Sequence, residues 1–334
     1  MQSTIETISD GDHLSRDEAR DVADWLISDA TDAQIAGLLV GLRAKGITPD
    51  ELAGFATGLR DHCVRIHPET GPLVDTCGTG GDGPATFNVS TTSALVAAGM
   101  GVSVAKHGNR AISSSSGSSD VLEQLGFPLD TDPTSVVQML TEHGFGYLHA
   151  PSFHPAMRSV ASVRGELGFR TIFNLLGPLT NPAGATRQVL GVYDDTVIDT
   201  VAGALSMLDT DHALVVHGSG IDEIAVHGTT KVAEVRSGRI ERYELTPEHL
   251  GVDRAPIDEI QGGSPRENAL LTRSILSGER TDAYRDITLV NAGATAYVGG
   301  LTGSITEGIE FAAQAIDDGR ASRLLERITG EVVH

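Results

Sequence analysis

Between Ser15 and about His67 apolar residues return every three or four positions: Ala19, Val22, Ala23 and Leu26, then Ile35, Leu38, Leu39 and Leu42. That period predicts amphipathic helices. Thr31-Asp32 suits an N-cap and Pro49-Asp50-Glu51 a first helical turn, whereas His67-Pro68-Glu69-Thr70-Gly71-Pro72 breaks the pattern and sets a boundary near residue 70. Beyond it, short β-like runs alternate with helical ones: Leu73-Val74-Asp75, Val102-Ser103-Val104-Ala105, Val189-Leu190-Gly191-Val192 and His212-Ala213-Leu214-Val215-Val216. Such alternation predicts a mostly parallel sheet covered by helices. The stretch from Pro155 to about Leu176 reads as helical again and is expected to rejoin the first unit. The expected fold is therefore α/β. A small discontinuous all-helical domain (1–70, rejoined by about 155–183) stands beside a larger α/β domain (71–334) with a mostly parallel central sheet flanked by helices.

Composition narrows the function classes. A chain of 334 residues, 40% hydrophobic and 21% charged, can bury a substantial core without staples. There is no long apolar run, and the polar, acidic start from Met1 to Ser15 lacks the basic and apolar regions of a signal peptide. A cytoplasmic location without a membrane partner is expected. Cys63 and Cys77 are too few for a disulfide framework and lack zinc-ligand spacing. The formal net charge of -21 repels nucleic acid and anionic lipid, so any phosphate chemistry has to be confined to a pocket. Lys45, Lys106 and Lys231 are the only lysines, and with the acidic surplus this points to adaptation to high cytoplasmic salt.

Three clusters carry chemistry. Gly78-Thr79-Gly80-Gly81-Asp82-Gly83 follows a predicted strand and precedes Phe87-Asn88-Val89-Ser90-Thr91-Thr92 and a helix, the setting in which backbone N–H groups and a helix N-terminus cradle phosphate. It matches neither the Walker nor the dinucleotide pattern, and a glycine turn without a ligand is the alternative. Lys106-His107-Gly108-Asn109-Arg110, closing on the serine-rich loop through Ser118, gathers charge-assisted donors suited to pyrophosphate; a solvated basic turn is the alternative. Gly218-Ser219-Gly220-Ile221-Asp222-Glu223 puts two carboxylates at a strand end, where magnesium could be held together with substrate phosphates, although an Asp-Glu pair is by itself usually a solvated turn.

These motifs, with Gly117-Ser118-Ser119-Asp120-Val121-Leu122-Glu123, His154-Pro155-Ala156-Met157, Arg164 and the segment from Arg170 to Ala183, resemble the anthranilate phosphoribosyltransferase family over nearly the whole chain. Ser115 stands where many members carry lysine, and Ala111 where serine is common. The resemblance implies that Gly78, Gly81, Asp82, Thr86, Asn88, Val89, Ser90 and Thr91 line a phosphoribosyl pyrophosphate site together with Lys106, His107, Gly108, Asn109, Arg110, Ala111, Ile112, Ser113, Ser114 and Ser118. It further implies that Ser90, Asp222 and Glu223 hold Mg2+, up to two ions with Glu223 bridging, and that Gly78, Asn109 and Arg164 face anthranilate. A homodimer through the helical domain is implied as well. Lys106, Asn109 and Arg164 would then act by position and charge.

The implied reaction displaces pyrophosphate from ribose C1 by an aromatic amine that is already neutral, so no strong general base is needed and none is assigned. Positioning and stabilisation of the leaving group should dominate. His107 and His154 as proton shuttles, and His143, His149 and His154 as a metal cluster, are disfavoured on that ground. The rivals are a pyrimidine nucleoside phosphorylase, which would need no paired carboxylates for metal, and a non-catalytic nucleic-acid-binding relative, for which the charge has the wrong sign.

Overall fold

The computed structural model describes residues 2–80, 86–111, 115–129 and 132–330. Four helices come first: α1 (Gln2–Ser9), α2 (Arg16–Ser28), α3 (Asp32–Lys45) and α4 (Pro49–Asp61). Ser15, Thr31 and Thr48 each close a capping box with Glu18, Gln34 and Glu51, satisfying orphan N–H groups at the starts of α2, α3 and α4. Glu51 does more. Its buried carboxylate also accepts from the Leu14 N–H (2.9 Å) and from Lys45 Nζ (2.6 Å), tying α3 and α4 to the segment entering α2. Helices α2 and α4 approach closely because Gly54 and Gly58 lie at their contact; a Cβ on Gly58 would sit 2.6 Å from the Ala23 Cβ.

After the break come β1 (Val74–Gly78), α5 (Val89–Met100), β2 (Val104–Gly108), α6 (Ser118–Gln124), α7 (Pro133–His143) and β3 (Phe145–His149). Helices α8 (Ala150–Phe153), α9 (Arg158–Leu167) and α10 (Ile172–Leu176) lead to β4 (Arg187–Gly191), α11 (Ile198–Ser206), β5 (His212–Gly218), β6 (Thr230–Arg236) and β7 (Arg239–Leu245). The order is completed by α12 (Pro247–Leu250), α13 (Pro265–Leu276), α14 (Ala283–Gly299), α15 (Ile305–Asp317) and α16 (Arg320–Thr329).

The sheet runs β3-β2-β1-β4-β5-β6-β7. Its first five strands are parallel and the last two antiparallel, so the mostly parallel sheet read from the alternation is present. The four predicted runs became β1, β2, β4 and β5. Strand β7 escaped the sequence reading because Arg239-Ile240-Glu241-Arg242-Tyr243-Glu244-Leu245 is an edge strand with no buried residue. It turns back from β6 through Ser237-Gly238, both at positive φ (49° and 78°), the geometry that matches the twist of a tight hairpin.

Alternation along the strands divides the apolar interior. Val189, Leu214 and Val216 face α5, α14, α15 and α16, whereas Leu190, Ala213 and Val215 face α11 and the N-terminal helices. Val160 and Val163 of α9, with Ile172, Phe173 and Leu175 of α10, pack into that second interior beside α2, α3 and α4. The helical unit thus shares a continuous core with one face of the sheet. Strands β1, β2, β4 and β5 all end in glycine, and the strand order reverses between β1 and β4, which opens a crevice over their carboxyl ends.

Candidate active site

Two adjoining cavities fill this crevice, one of about 420 Å³ over the ends of β1 and β2 and one of about 370 Å³ reaching toward α9 and α10. Gly78, Thr79, His107, Gly108, Asn109 and Asn174 line both. The larger is also lined by Thr86, Asn88, Val89, Ser90, Thr91, Lys106, Arg110, Ala111, Ser118, Asp222 and Glu223, so residues from three separate sequence clusters meet there. Arg164 lines only the smaller one. Gly81, Asp82, Ile112, Ser113 and Ser114 lie outside the described residues.

Asp222 and Glu223 reach the glycine loop because β4 and β1 leave no side chain in their way. A Cβ on Gly78 would run into the Asp222 carboxylate, and one on Gly191 into the Asp222 backbone. Asp222 Oδ2 accepts from the Gly80 N–H (2.9 Å), and Glu223 Oε1 from the Ser90 N–H at the start of α5 (3.0 Å). Asn88, the N-cap residue of α5, makes no capping bond of its own; it donates to the Ser116 carbonyl and accepts from Ser116 Oγ and Asn268 Nδ2, holding the serine-rich loop against α13. The positive end of a twelve-residue helix is therefore directed at the cavity.

The side chains differ in how they serve this cavity. Lys106 is buried beneath it, donating to the Thr76 carbonyl (2.5 Å) and Ser90 Oγ (3.3 Å), so it orders Ser90 and supplies charge from below. Burial lowers its pKa, opposed by the charges of Asp75, Asp222 and Glu223. Val89 contributes shape rather than a donor, since its side chain belongs to the core and its N–H is bonded to the Phe87 carbonyl. Arg110 turns its guanidinium to Asp120 (3.1 Å) and Glu123 (2.9 Å) on α6. Thr91 Oγ1 is buried with no protein partner among the described residues.

The smaller cavity is chemically different. Arg164, packed 5.2 Å over the Phe173 ring, has no carboxylate in ion-pairing distance among the described residues, and burial lowers its pKa. His107 and His154 face one another with ring centroids 5.0 Å apart, and the Nε2 of each is buried without a protein partner among the described residues. Burial, with the neighbouring His154, holds His107 down at about 3; burial holds His154 at about 4. Both imidazoles are therefore neutral at physiological pH.

These groups are held by a layer of residues that includes Asp75 and Tyr147, both outside the sequence motifs. Asp75 Oδ1 accepts from the His107 N–H (3.1 Å) and Oδ2 from Asn181 Nδ2 (2.8 Å), while burial pushes its carboxyl up to about 6. Thr79 Oγ1 accepts from the Tyr193 N–H, and Tyr147 OH bonds Ser118 and Ser119. A carboxylate inside an apolar strand just ahead of a glycine loop was a signal available for Asp75; nothing local marks Tyr147.

The glycosyl transferase family α/β domain model matches residues 70–322, and the helical bundle domain model of that family matches residues 2–63. Anthranilate phosphoribosyltransferase from Haloarcula marismortui is 54% identical over 330 residues, 99% of this chain and 100% of that protein. Its counterpart from Haloferax volcanii is 55% identical over 321 residues, 96% of this chain and 97% of that one. The chain belongs to the anthranilate phosphoribosyltransferase family. The family likeness extends to solved structures. The Thermus thermophilus anthranilate phosphoribosyltransferase superposes with a TM-score of 0.93 at 46% identity over 98% of both chains. The Saccharomyces cerevisiae enzyme, solved in complex with phosphoribosyl pyrophosphate and magnesium, gives 0.89 at 27% identity over 99% of this chain and 98% of that one.

Proposed function

We propose that the chain transfers the phosphoribosyl group of 5-phosphoribosyl 1-pyrophosphate to the amine of anthranilate, giving N-(5-phosphoribosyl)anthranilate and pyrophosphate, a step of tryptophan biosynthesis. The observation that carries this reading is the pairing of two unlike cavities: one built from backbone, hydroxyls and paired carboxylates, the other holding a half-buried guanidinium with no carboxylate in ion-pairing distance among the described residues. The first suits a magnesium-bound diphosphate and the second a benzoate carboxylate, which Arg164 would grip with its planar fork.

The donor set fits magnesium. Asp222, Glu223 and the Ser90 hydroxyl are hard oxygen ligands, and two carboxylates are the number this ion takes when phosphate oxygens and water complete its shell; two ions per site is the proposed upper limit. When bound, the metal neutralises charge developing on the leaving pyrophosphate. The protein's own groups do the rest. The α5 N-terminus and Lys106 add positive potential beneath the diphosphate, and Asn109 stands where the cavities meet, between the reactants. Arg164 aligns the amine, C1–O breaks as C1–N forms, and the ammonium proton thus created leaves to water, a transfer that requires no positioned base.

On the same reading, residues 1–70 with about 155–183 form the helical domain and 71–334 the remaining α/β domain, supported by the packing of α9 and α10 on α2 to α4. We also propose a cytoplasmic homodimer adapted to high salt; among the described residues no helix is long and apolar enough to cross a membrane, and the charge of -21 accords with relatives from Haloarcula and Haloferax. The test is to incubate the protein with phosphoribosyl pyrophosphate, magnesium and anthranilate at low and high potassium chloride. Equal, magnesium-dependent loss of anthranilate and release of pyrophosphate is expected. No turnover at any salt, with phosphate-dependent nucleoside cleavage instead, would overturn the proposal.

A further inference from the structure

A third cavity, of about 360 Å³, lies away from the reaction centre between α2, α4, the segment entering β1 and the loop before β4. Its chemistry is out of character for this chain. In a protein of net charge -21, Arg16, Arg60, Arg65 and His67 converge on one concavity, with Asp61 and Asp209 the only carboxylates in its lining. Asp61 is already shared by Arg20 (2.6 Å) and Arg65 (3.1 Å). Neither Arg16 nor Arg60 has a carboxylate in ion-pairing distance among the described residues, and Arg60 is fixed by donating Nε to the Leu179 carbonyl (2.7 Å). Burial lowers the Arg60 pKa; the nearby Asp209 carboxylate raises it, and Arg65 and Arg16 lower it by like-charge repulsion. Guanidiniums held together against their repulsion, in a chain with carboxylates to spare, form a receptor for an anion.

We propose that this cleft binds a phosphate group, free or carried by a small ester, at Arg16, Arg60 and Arg65. Three forks arriving from α2, α4 and the strand-entering segment suit a tetrahedral dianion with oxygens in several directions better than a flat carboxylate. The site has a route to the reaction centre. Asn181 and Pro182 form its wall, whereas Gly177, Pro178 and Thr180, a few residues earlier, line the cavity that holds Arg164. Arg60 grips the Leu179 carbonyl between them, and Asn181 bonds Asp75 under His107. A phosphate drawing on the Arg60 guanidinium would act on a strap common to both cavities.

The inference goes beyond the proposed reaction. It is tested by equilibrium dialysis of radiolabelled inorganic phosphate against the full chain saturated with magnesium and phosphoribosyl pyrophosphate, at fixed potassium chloride. One phosphate per chain is expected to remain bound, and Arg16→Gln with Arg65→Gln to weaken it about tenfold or more while leaving phosphoribosyl pyrophosphate binding unchanged. Competition by glycerol phosphate more strongly than by free phosphate would identify an ester as the ligand; the reverse order would identify the free ion. No bound phosphate, or equal binding by wild type and double variant, would overturn the proposal. Crystals soaked in tungstate give an answer that depends neither on the variant folding nor on the assigned reaction: an anomalous peak among the three guanidiniums supports the site, and no peak there refutes it.

Discussion

Replacing Arg164 by alanine separates the two halves of the proposed site. The guanidinium lines the acceptor-side cavity and not the phosphate-side one, so its loss should affect one substrate only. A charge-assisted, two-pronged hydrogen bond to a carboxylate contributes about 1.5–3 kcal/mol, which is roughly 10- to 150-fold in affinity. The fold should lose little. Removing the side chain forfeits its packing over Phe173, about 0.5–2 kcal/mol, but it also relieves a desolvated charge without a carboxylate partner, and the two effects oppose each other. A change in Tm of about 3 °C or less is therefore expected. Steady-state assays following anthranilate fluorescence should show the acceptor KM raised by roughly 10- to 150-fold with the phosphoribosyl pyrophosphate KM unchanged, and Arg164→Lys should fall between, because an ammonium keeps the charge but not the planar fork. A parallel rise in both KM values, or an unchanged acceptor KM in a folded variant, would refute the reasoning.

Gly78→Ala drives a methyl into the Asp222 carboxylate; a displacement of about 1 Å at that position should lower kcat about 100-fold in a protein whose circular dichroism is unchanged. Glu223→Gln removes one of two carboxylates from the proposed metal site and should raise the magnesium concentration for half-maximal activity roughly tenfold or more, read by titrating the ion at saturating substrates. Far from the site, burial tends to raise the Glu234 carboxyl, but hydrogen bonds from His212 (2.7 Å), Tyr243 (2.8 Å) and Tyr297 (2.9 Å) outweigh it and hold the group at about 2. Because the folded pKa lies below the ordinary value of 4.5, the stabilisation is present above pH 4.5 and is lost as pH falls toward 2, amounting to at most about 3 kcal/mol. Chemical denaturation across that window should show a shallower fall of stability for Glu234→Gln than for wild type; identical slopes would contradict this account.

Much of the architecture was open to reading because it rests on local rules. The N-cap at Thr31-Asp32, the first turn at Pro49-Asp50-Glu51, the apolar period of α2 and α3, and short β-like runs depend on neighbours a few positions away, and they located α2, α3, α4 and four of the five parallel strands. The motifs named their chemistry for the same reason: a glycine loop between strand and helix, and paired carboxylates after a strand, carry their meaning in the residues themselves. What tertiary structure decided was partnership. Only the fold placed Asp222 against Gly78, 144 residues apart in sequence, buried Lys106 beneath Ser90 instead of exposing it to a ligand, and turned Arg110 to α6. Only the fold gathered Arg16, Arg60 and Arg65 into one cleft. Charge and hydrogen bonding act through space over a few ångströms, whereas sequence patterns report order along the chain, so which groups neutralise one another and which remain to meet a ligand is settled when the chain closes on itself.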